Sequence, residues 1–141
     1  MPEEIDYRQH GFLLPSIDAD SQEWWKALLR HELILHRCQE CGRASFPPSP
    51  GCPYCGSASF TWIEASGRGT VYSWVVVNLA LHPAFTEDAP YTIVAVDLEE
   101  GPRIFGRLLP GVEPSAGMPL RARFYPVNDS VLVGFEPLPL D

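Results

Sequence analysis

Apolar residues recur every three or four positions near the start of the chain, and this is the period of an α-helix with one apolar face. The pairs that lie four positions apart are Trp24 with Leu28 and Trp25 with Leu29. We call these four residues the helix stripe. Asp20 is predicted to cap the helix, and Glu23, three residues later, is predicted to complete a capping box.

The helix stripe has two interpretations. Two adjacent tryptophans present more apolar area than a chain of 141 residues readily covers, and exposed aromatic patches mark partner surfaces. The stripe of Trp24, Trp25, Leu28 and Leu29 is therefore a predicted partner-binding surface. The alternative is that the stripe packs on the chain's own core.

After residue 66 the pattern changes to short runs of alternating apolar and polar residues, which are separated by turn residues and are typical of strands. Strands are predicted at residues 70–78, 91–98, 103–109, 120–126 and 131–136. Five short strands in about seventy residues fit an OB-type barrel, in which closure removes the exposed edges. The long connection at residues 78–90 then lies where this fold often carries its binding loop.

All the cysteines of the chain lie in two copies of the pattern C-x-x-C-G, as Cys38, Cys41, Cys52 and Cys55. Each copy places two thiolates on one tight turn, so two copies provide the four tetrahedral ligands of a structural zinc site. Iron also suits such a ligand set. Disulfides are disfavoured, because a disulfide framework would spread its cysteines along the fold.

Short apolar runs at residues 33–38 and 60–65 flank the cysteines and are predicted to be the strands of a zinc ribbon. The predicted fold class is therefore mainly β, with an N-terminal helix, a ribbon and a five-stranded barrel. The predicted organisation is an N-terminal segment at 1–35, the ribbon at 36–65 and the barrel at 66–141.

The net charge of −8 and the pI near 4.9 argue against a nucleic-acid partner, because a phosphate backbone is repelled by an acidic protein. The strand arginines are the exception that would allow a local phosphate contact; they are Arg103, Arg107, Arg121 and Arg123. A solvated barrel face is the plainer interpretation of these arginines.

Catalytic motifs are missing from the sequence. It has no G-x-S-x-G elbow, no phosphate-binding glycine loop and no cysteine outside the two C-x-x-C-G copies. His82, in the 78–90 connection, is the one histidine to consider as an acid, a base or a ligand contact. No enzymatic activity is therefore expected of the chain on its own.

The N-terminal sequence also bears on location. Residues 1–12 lack the basic and apolar regions of a signal peptide, and no run reaches the roughly eighteen apolar residues of a membrane span. A cytoplasmic location without membrane association is therefore expected.

Several motifs, in this order, resemble a family of zinc-ribbon OB-fold accessory proteins that was formerly a domain of unknown function. The resemblance covers roughly residues 21–137. It rests on EWW, CQECG with FPP, CPYCG, SGRGTVYSW, PY, DLEEGPR and GMP. The four cysteines match the metal positions of that family, whose ribbon is rubredoxin-like and is followed by a C-terminal OB barrel.

The resemblance implies a small accessory subunit that pairs with a thiolase-like acyl-CoA enzyme as a hetero-oligomer. Such enzymes make or break carbon–carbon bonds in CoA thioesters, by Claisen-type acyl transfer or by retro-aldol cleavage. In some of these complexes, including the aldolases of steroid side-chain degradation, the catalytic residues belong to the thiolase-like partner. The chain is then a subunit of an acyl-CoA lyase or acyltransferase.

Two other hypotheses stay open. The chain is alternatively a module that itself binds CoA or acyl-CoA, through His82, Phe85, Arg103 and Arg107. A zinc-ribbon and OB protein that binds nucleic acid is the third hypothesis, and the net charge disfavours it.

Overall fold

The helix and the strands of the chain are described by a computed structural model over residues 15–127 and 129–139. Residues 1–14 of the predicted N-terminal segment lie outside the described residues. The helix α1 is Gln22–Leu29, and the ribbon strands are β1 (Ile34–Cys38), β2 (Ala44–Ser45) and β3 (Phe60–Glu64). The barrel strands are β4 (Arg68–Val77), β5 (Tyr91–Leu98), β6 (Arg103–Arg107), β7 (Pro119–Val127) and β8 (Ser130–Pro137).

The cap of α1 differs from the prediction. Ser21, not Asp20, precedes the first helical residue, and its side chain makes no capping hydrogen bond. The hydroxyl of Ser21 instead donates to Oδ1 of Asp18 at 2.7 Å, so it is turned away from the helix. Glu23 contacts Lys26 at 3.5 Å and does not complete a capping box. Local pairs therefore replace the predicted cap.

The helix stripe is divided between the inside and the outside of the molecule. Trp24 is 7% exposed and Leu28 is fully buried, so these two side chains belong to the chain's own core. Their interpretation as partner contacts is corrected, because the face of α1 that carries Trp24 and Leu28 packs against the ribbon and the barrel. Leu29 is 56% exposed and Trp25 is half-buried, and both remain predicted partner contacts.

The ribbon sheet has the strand order β2-β1-β3, with antiparallel neighbours. Its central strand, β1, pairs with β3 from Ile34 opposite Glu64 to Cys38 opposite Phe60. The two predicted ribbon strands are confirmed to within one residue. The two-residue strand β2 is too short to leave a periodic pattern in the sequence, and it was not predicted.

The barrel sheet has the order β6-β5-β4-β7-β8, with antiparallel neighbours. A parallel bridge between Leu108 and Phe135 joins its two edges, and the N–H of Leu109 donates to the carbonyl of Phe135 at 2.8 Å. The predicted five strands are confirmed to within two residues at each end. This closure of a five-stranded sheet is the OB topology.

Glycines allow the two edges to approach each other at this closure. A Cβ atom on Gly134 would lie 2.6 Å from the carbonyl oxygen of Arg107, and one on Gly106 would lie 3.1 Å from the ring of Phe135. A side chain at position 134 would push the backbones of β6 and β8 apart, whereas one at position 106 would require its neighbours to shift by a few tenths of an ångström. The closed barrel therefore requires glycine at position 134.

A single apolar cluster connects the helix, the ribbon and the barrel. Trp24 and Leu28 of α1 and Leu35 of β1 belong to the same buried cluster as Val94 and Phe135 of the barrel. The ring of His31, just after α1, also stacks on Phe124 of β7 at 5.3 Å. The predicted division at residues 35 and 65 stays a prediction, and the core packs across both boundaries.

Substitutions at Trp24 and Leu29, two positions of the helix stripe, should differ in their effect on stability. Trp24→Ala should lower the free energy of unfolding by about 3–5 kcal/mol, because it removes a buried indole from the core. Leu29→Ala on the same helix should change it by about 0.5 kcal/mol or less, because that side chain is mostly exposed. Urea denaturation of both variants measures the difference, and equal losses would contradict the assignment of Trp24 to the core.

Candidate metal centre and barrel groove

The four cysteines lie on two tight turns at one end of the ribbon. Cys38 ends β1 and begins the first turn, in which the N–H of Gly42 donates to the carbonyl of Cys38 at 2.9 Å. The second turn repeats this bond, from Gly56 to Cys52, at 2.9 Å. Both glycines have positive φ, 77° and 81°, which glycine adopts without steric cost. The repeated C-x-x-C-G pattern therefore folds into two equivalent knuckles.

The sulfur atoms form one compact cluster. All four lie within 4.8 Å of one another, and the cysteines are free, not joined in disulfides. The Sγ atoms of Cys38 and Cys55 are 3.5 Å apart, and those of Cys41 and Cys52 are 3.7 Å apart. Tetrahedral zinc with bonds of about 2.3 Å places its sulfur ligands about 3.8 Å apart. The cluster fits one zinc ion.

Backbone donors prepare the cluster for a cation. The N–H of Cys41 points at Sγ of Cys38, 3.5 Å away, and this bond is the largest of several hydrogen bonds that together lower the pKa of Cys38 to about 6. The N–H of Tyr54 points in the same way at Sγ of Cys52, 3.4 Å away. Thiolates are the form that binds metal. Because the chain provides all four ligands, no position is left for water or substrate, and the metal is structural.

A groove on the barrel is the second candidate site. Its volume is about 500 Å³, and it lies between the 78–90 connection, the loop after β6 and the strands β7 and β8. Charged and aromatic residues line it together with aliphatic ones; the charged and aromatic members are Phe85, Asp88, Tyr91, Arg107, Arg123 and Tyr125. This is the size of a small-molecule site.

Two of the four predicted CoA contacts line this groove. The guanidinium of Arg107 lies 4.1 Å from the ring centroid of Tyr91 and 5.5 Å from that of Phe85. Arg107 also pairs with Asp88, at 3.1 Å. The ring of His82 lies 6.3 Å from that of Phe85, and His82 is not a lining residue.

Arg103 lies apart from the other predicted contacts. It pairs with Asp97 at 2.7 Å, and its guanidinium covers the ring of Tyr72 at 3.3 Å. Four residues along a strand span about 13 Å, so Arg103 and Arg107 occupy opposite ends of β6. The structure therefore brings Phe85 and Arg107 together and leaves Arg103 outside the groove.

Tyr125 and Tyr91 are lining residues that the sequence did not single out. Burial raises the pKa of Tyr125, and the nearby guanidiniums of Arg107 and Arg123 partly offset this effect. Arg123 was recognised only as one of four strand arginines. The alternation of β7 indicated that Arg123 and Tyr125 share a face, but the contact with the 78–90 connection requires the folded barrel.

No helix of the described residues is long and apolar enough to cross a bilayer. The fold and the site together define a zinc-ribbon protein with an OB barrel. Two family models match: residues 25–61 match the rubredoxin-like zinc ribbon domain of ChsH2, and residues 62–125 match the C-terminal OB-fold domain of ChsH2. The four-cysteine cluster is accordingly a structural zinc site.

Several curated proteins are similar to this chain in sequence. The chain is 38% identical over 109 residues to a probable enoyl-CoA hydratase alpha subunit of Thermomonospora curvata, covering 75% of this chain and 33% of that protein. It is 34% identical over 140 residues to the 3-oxo-4,17-pregnadiene-20-carboxyl-CoA hydratase alpha subunit of Mycobacterium tuberculosis, covering 97% of this chain and 43% of that protein. The chain thus spans less than half the length of these two relatives.

A solved structure is similar over nearly its full length. It is described as the Ltp2-ChsH2(DUF35) aldolase, and the match has a TM-score of 0.77 and 35% identity, covering 87% of this chain and 98% of that chain. The chain belongs to the DUF35 family, in the form with a rubredoxin-like zinc ribbon followed by an OB-fold domain.

The zinc assignment predicts one zinc ion per purified chain. Cys38→Ser should abolish zinc binding and unfold the ribbon, because metal binding and folding are coupled in units this small. Glu40→Gln, which lies between two ligands without being one, is the matched control and should keep both. Elemental analysis and near-ultraviolet circular dichroism measure the two properties, and a metal-free chain with a folded ribbon would contradict the assignment.

Proposed function

We propose that the chain is a non-catalytic subunit of an enzyme that acts on CoA thioesters, and that its partner is a thiolase-like subunit. The observation that carries this proposal is the match to the whole of the DUF35 chain in the Ltp2-ChsH2(DUF35) aldolase. That likeness favours retro-aldol cleavage of a carbon–carbon bond over Claisen-type acyl transfer. A steroid or fatty acyl side chain is the proposed substrate class, and one curated relative is named for a pregnadiene-carboxyl-CoA.

The placement of the thiols supports a non-catalytic role. All four cysteines of the chain lie in the metal cluster, so none is left to form an acyl intermediate. A four-thiolate site also has no open position at which to activate water. The catalytic groups then belong to the partner, and the complex is proposed to work in the cytoplasm, where thiols stay reduced.

The outer surface of the barrel offers a contact area for such a partner. Tyr72, Val75 and Phe105 form what we call the outer-sheet patch; they are 56%, 60% and 68% exposed. Tyr72 lies at a register shift of β4, between Val71 and Ser73, which interrupts the alternation, and its ring contacts Arg103 of β6. Ser73, Ala95 and Phe105 lie opposite one another across β4, β5 and β6, and Val75 faces the same side two residues from Ser73. Exposed apolar patches with aromatic residues are typical of partner surfaces. Trp25 and Leu29 of α1 are the second proposed contact.

A direct contact with CoA is the second candidate function. Phe85 and Arg107 favour it, because both line the barrel groove. Nucleic-acid binding is not proposed, since the net charge of −8 opposes it.

The docking proposal predicts that substitutions at the adjacent residues Val75 and Val76 differ in their effect on partner binding. Val75→Asp should weaken binding of the thiolase-like partner by about thirtyfold or more, which is typical of an interface anchor. Val76→Asp is the matched control, because Val76 is similarly exposed but faces the other side of β4. The partner's dissociation constant measures both variants. Equal binding by the two variants would reject the outer-sheet patch as the interface.

The isolated chain should turn over no CoA thioester, because the proposal places the reacting groups on the partner. A coupled assay for carbon–carbon bond cleavage, with the purified chain as the only protein, measures this. Cleavage that persists in the partner-free chain and scales with its concentration would reject the accessory role.

A further inference from the structure

The two arginines of the barrel groove differ in how their charges are balanced. Arg107 pairs with Asp88 and covers the ring of Tyr91. The Nε atom of Arg123 is buried and has no hydrogen-bond partner among residues 15–127 and 129–139. Its guanidinium lies 5.1 Å from the ring centroid of Tyr125 and forms no ion pair with a carboxylate of the described residues. Within the described residues, Arg123 is therefore the groove arginine whose charge has no carboxylate partner and whose Nε has no acceptor.

A buried N–H group without an acceptor is costly, and native structures seldom keep one without a reason. The shortage is not one of acidic residues, because the chain has 18 of them against 10 basic ones. The other outward-facing arginine of the same strand, Arg121, has such a partner, Glu136, at 3.2 Å. An oxyanion in the groove would balance the guanidinium charge of Arg123, which is one of the lining residues.

The rest of the groove suits the body of an organic molecule. Leu108, Leu109, Val112 and Leu132 form an aliphatic part of the wall, and Phe85 and Tyr91 add ring surfaces. The hydroxyl of Tyr125 is protonated at neutral pH, as for any tyrosine, and burial raises its pKa further, so it can act as a hydrogen-bond donor. A volume of about 500 Å³ holds far more than a free inorganic ion.

We propose that the groove is a binding site for an organic oxyanion, with Arg123 pairing with a phosphate or carboxylate group while the aliphatic wall and the rings hold the attached body. Guanidinium groups favour such oxyanions because their planar N–H donors bind two oxygens at once. The phosphate groups of CoA are one source of this chemistry, and a free organic carboxylate is the other. The first source rests on the proposed contact with CoA, and the second does not.

Titration calorimetry on the purified, zinc-loaded chain at low salt tests the proposal. The probes are CoA and ADP for the phosphate source, 2-naphthoate for the carboxylate source, and inorganic phosphate for an anion without a body. At least one organic probe should bind more tightly than inorganic phosphate. Binding of CoA and ADP assigns the phosphate source, and binding of naphthoate alone assigns the carboxylate source.

Arg123→Gln should lower the affinity for the bound probe by about tenfold or more, because it removes a charge-assisted hydrogen bond. Arg121→Gln is the matched control on the same strand and should bind as the parent does. Arg123→Lys keeps the charge without the planar fork, so it should show a partial loss and provides the test if the glutamine variant does not fold. Zinc content and the melting temperature report the fold of each variant.

The proposal is overturned if no organic probe binds, if inorganic phosphate binds as tightly as the organic probes, or if the Arg123 and Arg121 variants bind alike. Parallel co-purification with the thiolase-like partner separates this site from the proposed function. If the chain binds no organic oxyanion but still binds its partner, the groove proposal fails and the proposed function does not.

Discussion

The structure depends on the four sulfur atoms that hold the two knuckles of the ribbon around one metal. The ribbon is too small to bury a core of its own, so a metal must fix the strands that enter and leave the knuckles. Cys38 is both a ligand and the last residue of β1. Three residues earlier on this strand, Leu35 is fully buried in the core that the ribbon shares with the barrel. Metal binding therefore positions the ribbon against the barrel as well as closing the knuckles.

The parts of the fold that the sequence predicted are those set by local rules. Spacing alone identified the four cysteines, because each knuckle is built from consecutive residues, and alternation identified the strands to within two residues. The prediction of the α1 cap was wrong, because the side chain of Ser21 donates to Asp18. A capping pattern in the sequence does not reveal this bond. The helix stripe was divided by tertiary packing, which buries Trp24 and leaves Leu29 exposed. The groove could not be predicted for the same reason, since Phe85 and Arg123 line one groove only in the folded barrel.

The chain separates its tasks between distinct regions. The ribbon holds a metal with no open position, which gives stability and no reactivity. The outer-sheet patch is the proposed contact area for a partner, and the barrel groove contains a guanidinium that has no carboxylate partner among the described residues. In the proposed complex, such a subunit contributes binding surfaces, while the chemical step is proposed to take place on groups of the other subunit. The acidic net charge is compatible with this role, because neither surface has to attract the long phosphate backbone of a nucleic acid.

A titration of the proposed thiolase-like partner with this chain tests the accessory role most directly. The rate of carbon–carbon bond cleavage of a CoA thioester is measured at a fixed partner concentration while the chain is added. The account predicts a low rate for the partner alone, a rise on addition of the chain, and saturation at a fixed molar ratio. A rate that does not change with the chain, or that keeps rising in proportion to it without saturation, would contradict a stoichiometric accessory subunit.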